Sequence, residues 1–295
     1  MKHKTTQAVF CAALGNILWG FSFLFTRIGL DVAPNPNIML SHRFLCSALF
    51  MALPILIGKV KVSFKGKNWK PIGILLLTQV GYYVFETYGL LYTNATIAGM
   101  VLAVVPVVTI GTGALFLREY PTRRQALFCI VPVVGVIMMT VSGKKLGVVT
   151  TVGIVLLLLT VVDSAIFKTA NRKAAEEFTP FERTFFVLCL SSIFFTLMAL
   201  CSVNGDITAY LAPVFHGKYI VAVLSMSVLC SIVANLLVNY ATGILPAFQL
   251  SSFGSLSTLC SLFAGVVFLK EPINISLFTG AVLIIVGIRQ VTKPK

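Results

Sequence analysis

Charge is scarce in this sequence. Asp, Glu, Lys and Arg make up 11% of its 295 residues, against roughly 25% in an ordinary soluble domain, and nine residues are acids. Histidine occurs three times, at the scattered positions His3, His42 and His216. There is no HExxH helix, no GxSxG elbow, no paired-aspartate motif and no GxxxxGK[ST] loop, so a zinc protease, a serine hydrolase, a prenyltransferase and direct drive by ATP all lack their chemistry. Nothing has the ligand spacing of a metal site, and no cofactor is expected. The seven cysteines (Cys11, Cys46, Cys129, Cys189, Cys201, Cys230, Cys260) lie inside apolar runs without a CxxC pair. They read as small buried hydrophobes.

Apolar sequence is plentiful. Hydrophobic residues make up 58% of the chain, and the mean hydropathy is +0.96. Ten apolar runs stand near Ala8–Leu30, Ile38–Ile57, Pro71–Leu91, Thr96–Leu117, Gln125–Val141, Val149–Phe167, Thr184–Val203, Tyr219–Tyr240, Ala247–Leu269 and Ile275–Ile288. Each approaches the ~20 residues that cross a bilayer as helix. Barrel strands would be shorter and strictly alternating, so the fold class is an all-α integral membrane protein with ten transmembrane helices. The basic start, Met1–Lys4, and the apolar stretch after it imitate a secretory leader. That stretch is too long for one, contains Trp19 and Arg27 and lacks a small-residue cleavage site, so a retained first span is expected. Asn94-Ala95-Thr96 matches a glycosylation triplet, in a loop too short and too close to the bilayer to use it.

The formal net charge of +14 is a matter of orientation, not of nucleic acid. With both termini in the cytoplasm, seventeen Lys and Arg fall on the inner side, among them Lys168, Arg172 and Arg183, and four (Lys144, Lys145, Lys218, Lys270) on the outer. That is a positive-inside bias, and contact with anionic membrane lipid accounts for the remaining basicity.

The sequence also repeats itself. Leu117-Arg118-Glu119 returns 152 positions later as Leu269-Lys270-Glu271, and the same gapless offset carries Tyr88 onto Tyr240 and Gly135 onto Gly287. Two units follow, 1–145 and 146–295, joined near Ser142–Val149. Five spans per unit is an odd number, so the second unit enters the membrane from the opposite side. Inverted repeats of this kind suit alternating access around a site near the bilayer midplane.

The sequence resembles the EamA-like branch of the drug/metabolite transporter superfamily. The resemblance rests on Leu18-Trp19-Gly20-Phe21-Ser22, on Arg43 in Ser41-His42-Arg43-Phe44, and on the paired helix-ending Leu-basic-Glu passages, and it covers essentially the whole chain. It implies ten helices in two five-helix units and a transporter of small metabolites. Val162-Asp163-Ser164 departs from the aromatic and small residues usual there, and the seventh span has no clean counterpart of Arg43.

Polar side chains inside a span are costly, and each invites a functional reading. Asn16, Gly20, Phe23 and Arg27 share one face of the first span; Arg27 either snorkels outward or joins a site, and Arg43 has the same two readings. Gln79, Tyr82, Tyr83 and Glu86 form a stripe on the third span. A lone carboxylate there requires a proton or a partner, and Arg27 and Arg43 lie at similar depth. The repeat offset maps Gln79, Tyr83 and Thr87 onto Ser231, Asn235 and Asn239, so the third and eighth spans carry matched polar stripes, as a shared cavity requires. The plain alternative is hydrogen bonding between helices. Gln249 opens the ninth span beside serines. Asp163 is expected to pair with Lys168 or Arg172, with coupling as its other reading. Glu119 and Glu271 are expected to pack and gate.

The expected substrate contacts are therefore Trp19, Phe23, Arg27, Arg43, Gln79, Tyr82, Tyr83, Glu86, Asn235, Asn239 and Gln249, with Glu86 and Asp163 for coupling. The expectation is a secondary exporter of small, amino-acid-like or amphipathic metabolites in the cell (inner) membrane. It has no catalytic residue and no nucleic-acid partner, and works as a monomer or homodimer, by proton coupling or facilitated diffusion. The rivals are an importer of a nutrient or organic cation, and a membrane enzyme or receptor without net transport.

Overall fold

The computed structural model of the chain describes residues 2–33, 35–63, 66–93, 101–141, 150–269 and 275–293, and the regular elements among them are helical. The apolar runs become α1 (Lys2–Leu30), α2 (Pro36–Leu56), α3 (Lys70–Leu91), α4 (Val105–Leu117), α5 (Arg123–Val141), α6 (Thr151–Ala174), α7 (Pro180–Ser202), α8 (Gly217–Thr242), α9 (Ala247–Ser252 and Gly254–Leu269, with a turn at Phe253) and α10 (Ile275–Val291). Five of them, α1, α2, α6, α7 and α8, are long and apolar enough to cross a membrane. Even the 21 residues of α2 rise about 31 Å, the thickness of the hydrocarbon core.

Helix starts follow local chemistry. The Asn35 side chain accepts from the Asn37 N–H ahead of α2, and Thr150 caps α6. Thr179 and Glu182 form a reciprocal capping box around Pro180 at the start of α7, satisfying N–H groups that a helix start leaves free. One expected loop contracts as a result. Lys168–Arg183 shrinks to 175–179, because α6 runs on through Thr169–Ala174 before α7 is capped. Hydropathy marks where a segment is apolar, and a helix continues as long as its residues favour helix. Lys168, Arg172 and Arg183 are therefore helical residues rather than loop cations. The 204–218 connection also has structure, in a short helix (Ile207–Leu211) capped by Asp206 and a 3-10 turn (Ala212–Phe215). The expected junction at 142–149 and the triplet at 94–96 lie outside the described residues.

Packing pairs α1 with α8 and α9, α6 with α3 and α4, α2 with α7, α4 with α9, and α5 with α10. The α5–α10 contact is close because each helix brings a glycine to it. A Cβ on Gly135 would lie 2.7 Å from the Gly280 carbonyl oxygen and 3.1 Å from Ile284, and one on Gly287 would strike Pro132. The outward surface is apolar in mid-helix, with Leu77, Leu115 and Phe278 each more than 70% exposed. Apolar surface on that scale is covered by lipid rather than by water. The molecule is an all-helical membrane protein whose polar side chains converge inward, on α8.

Candidate functional site

In α8 the α-helix widens into a π-helical segment over Met226–Val233, where the Ala234 N–H reaches back five residues to the Leu229 carbonyl. A π turn loosens the main-chain ladder and recurs at functional sites. Here side chains supply extra donors. The Trp19 indole donates to the Cys230 carbonyl at 2.9 Å, and the Asn235 amide donates to the Ser231 carbonyl at 2.7 Å. From α2, Arg43 donates through Nε to Ser231 Oγ at 2.8 Å and through Nη1 to Ser22 Oγ at 3.3 Å. Ser227 Oγ returns a bond to the Arg43 carbonyl. Two helices of the N-terminal half thus grip α8 at its irregular segment.

Two turns further along α8 stands a second arginine. Arg183, 1% exposed, donates through Nη1 to the Asn171 carbonyl and side-chain oxygens (3.1 and 2.7 Å) and through Nη2 to the Asn239 carbonyl (2.5 Å). Asn171 Nδ2 bonds Asn239 Oδ1 at 2.7 Å, and Asn239 Nδ2 bonds Thr184 Oγ1 at 2.8 Å. The network closes on itself except at Arg183 Nε, which is buried without a partner. A buried guanidinium bonded to three oxygens is strongly held, and the one idle donor is an unmet demand for an acceptor.

Two small cavities abut this network. One, about 10 Å³, is lined by Gln79, Asn171, Arg183, Thr184, Asn235 and Asn239 together with Leu75, Phe167, Val187 and Leu188. The other, about 30 Å³, is lined by Asn16, Trp19, Lys168 and Leu250 and shares Phe167, Asn171, Asn235 and Asn239 with the first. Each holds a water or two, well short of the roughly 300–1,000 Å³ of a ligand site. The conformation is closed around a polar interior.

A separate polar contact ties helix ends together. α4 ends where Arg118 takes a left-handed conformation (φ 56°) and the Glu119 N–H bonds the Gly113 carbonyl. That turn aims Glu119 across the molecule, where Oε1 accepts from Arg172 Nε at 2.9 Å and Oε2 from the Ala247 N–H at 2.8 Å. Arg172 also donates to the Thr242 and Gly243 carbonyls. The ends of α4, α6, α8 and α9 meet at this one carboxylate.

The expected residues divide accordingly. Gln79, Asn235 and Asn239 share one cavity, and Trp19 joins Asn235 and Asn239 at the other. Glu86 accepts from Tyr82 one turn away at 3.0 Å. Its expected pairing with Arg43 is not formed, and Arg43 bonds Ser231 and Ser22 instead. Tyr83 packs edge-on against Phe44 and Phe195. Gln249 is tied to the Val291 carbonyl, away from both cavities. Asp163 does not form the expected ion pair: Lys168 bonds Ser164 and Arg172 bonds Glu119. Its carboxylate instead lies against the Gly81 backbone with Oδ2 unpartnered. Phe23 and Arg27 belong to α1 with side chains outside the described ones, and Glu271 lies outside the described residues. Sequence reading missed Lys168, Asn171, Arg183 and Thr184. The signal available was the i,i+3 spacing of Lys168 and Asn171, which puts both on one face once α6 is continued.

The model of the EamA-like transporter family matches twice, over residues 6–141 and 151–292. An uncharacterized transporter, YcxC, of Bacillus subtilis is 32% identical over 98% of this chain and 93% of its own length. A probable terminal-alkyne amino-acid exporter of Streptantibioticus cattleyicolor is 24% identical over 74% of this chain and 72% of its own. A crystal structure of a protein 17% identical in sequence superposes with a TM-score of 0.79 over 97% of this chain and 98% of that one, a likeness of fold alone. The relatives are named as transporters rather than enzymes, and the chain belongs to the EamA-like transporter family, whose members carry small molecules across membranes.

Proposed function

We propose that this chain is a secondary exporter of small, amino-acid-like or amphipathic metabolites in the cell membrane, working by alternating access between two inverted five-helix units, 1–145 and 146–295, with both termini cytoplasmic. One observation carries the reading. The polar stripes that the 152-residue offset relates, Gln79 on α3 and Asn235 and Asn239 on α8, line the same cavity. The packing supports it too. Exchanging each helix for its repeat partner (α1 with α6, α2 with α7, and so on) turns the α1–α8 and α1–α9 contacts into α6–α3 and α6–α4, and leaves α2–α7, α4–α9 and α5–α10 unchanged. Gly135 with Ile284 and Gly287 with Pro132 repeat that exchange residue by residue. Such two-fold pairing is the arrangement that lets one half adopt the other's conformation. The name of the Streptantibioticus relative supports export and an amino-acid-like cargo.

Glu86 is the proposed coupling acid, bonded to Tyr82 and lying in the third-span stripe. The test is flux of radiolabelled amino acids in proteoliposomes with and without a pH gradient. The wild-type protein is expected to move at least one of them faster down the gradient, and Glu86→Gln to remove the dependence on the gradient. An unchanged rate and pH response in Glu86→Gln would discard the coupling role. No flux of any solute in a broad metabolite panel would discard transport itself.

A further inference from the structure

Lys168 and Arg183 line two adjacent cavities that share Phe167, Asn171, Asn235 and Asn239. Each brings a basic group to its cavity. Among the described residues, no carboxylate lies within ion-pair distance of either one, the pairs present being Lys67–Glu182, Arg172–Glu119 and Lys173–Glu176. Lys168 Nζ has a single neutral contact, Ser164 Oγ at 3.2 Å. The Arg183 guanidinium is held by carbonyl and amide oxygens and keeps Nε idle. A buried guanidinium without a counter-charge is costly, and protein oxygens with partial charges meet that cost incompletely.

The Asn171–Asn239 bond is the hydrogen-bonded part of the wall between the cavities, which Phe167 and Asn235 complete. A turn of these two amides would open one space to the other, into a merged chamber that Lys168 and Arg183 both face. We infer that this merged chamber is a carboxylate-binding site, in which Lys168 and Arg183 hold the anionic end of the cargo and the Asn171–Asn239 pair is the partition the ligand displaces. The inference rests on the transport reading only for the word cargo, because the binding site stands on its own geometry. A guanidinium fork suits a planar carboxylate, and turning the Asn171 amide away frees the Nη1 donor that now holds its side-chain oxygen. Asn16 and Asn235, on the Lys168 side, are left to bond the neutral polar groups of the same molecule.

The test uses the full-length protein in detergent and two pairs of probes that differ only in charge, N-acetylleucine with its amide and phenylacetate with its amide. The carboxylates are expected to raise the thermal unfolding midpoint at millimolar concentration and the amides to leave it unchanged. Lys168→Gln is expected to weaken the carboxylate response about tenfold in apparent affinity while Lys168→Arg retains it. Arg183→Gln is expected to abolish the response. If that variant does not fold, Lys168→Gln decides alone, because it breaks one neutral hydrogen bond. Equal stabilisation by amide and carboxylate, no response to either carboxylate, or a wild-type response in Lys168→Gln would each overturn the site. The same probes in proteoliposomes separate the two claims. Binding of carboxylates with no flux of any solute discards transport and keeps the site, whereas equal flux of acid and amide discards the site and keeps transport.

Discussion

Arg43 and Arg183 both hold α8, two turns apart, through different partners. Arg43 meets serine hydroxyls at a π-helical segment. Arg183 meets the main-chain carbonyls of Asn171 and Asn239 and an amide oxygen, beside the cavities. A hydroxyl rotates and can donate or accept, so Arg43 can keep a partner as α2 and α8 shift. A helix carbonyl is fixed in direction and only accepts, so Arg183 keeps its bonds in one arrangement of α6, α7 and α8 and loses them together. The first is a sliding contact and the second a latch.

The comparison can be broken experimentally. Arg183→Ala should be the most damaging change, leaving two carbonyls and an amide oxygen without their donor at about 1–3 kcal/mol each. The unfolding midpoint of the purified protein should fall further than in any variant below, and a fall smaller than that of Arg43→Ala would end the distinction between latch and slide. Glu119→Ala comes next. It frees Arg172 and the Ala247 N–H, two charge-assisted bonds worth about 1.5–3 kcal/mol each when partly buried. Swapping the pair (Glu119→Arg with Arg172→Glu) should recover the ion pair but neither the bond to Ala247 nor those to the Thr242 and Gly243 carbonyls, so restored stability would be partial. Complete restoration would show that these three main-chain contacts carry nothing.

Arg43→Ala should cost about 1–2 kcal/mol, the ordinary worth of interhelical polar bonds in a membrane. Arg43→Lys should recover part of that, because a lysine reaches one serine but not both. Trp19→Phe should have the smallest effect on stability, about 1 kcal/mol for the bond to the Cys230 carbonyl. A collapse of expression in Trp19→Phe would mean that the indole holds the π-helical segment open rather than merely decorating it.

Much of this was legible in the sequence. Helix positions followed from the apolar runs, and the matching of the third-span stripe that holds Gln79 with the eighth-span stripe that holds Asn235 and Asn239 followed from a gapless offset of 152 residues. Helix extent did not follow, because hydropathy falls after Phe167 while helix propensity does not. Asn171 and Arg183, which look like residues of a cytoplasmic loop, are in fact buried partners. Nor could the sequence choose which acid meets which base. Glu86 and Arg43 lie at matching depths, yet Arg43 is taken by serines that a linear reading gives no reason to prefer. Gln249 shows the reverse error, a polar residue on a promising helix that serves to tie down the last turn of α10.

The π-helical segment of α8 has a consequence for sequence length. A π turn is an α-helix carrying one surplus residue. Deleting one position within Met226–Val233 removes that surplus and leaves Asn235 and Asn239 on their present face, whereas closing the segment into α geometry with every residue kept turns everything beyond by about 100°, which carries both asparagines off the wall they share with Asn171. A chain one residue shorter there keeps its asparagines at the cavities, and a π-to-α change without loss of a residue takes them away.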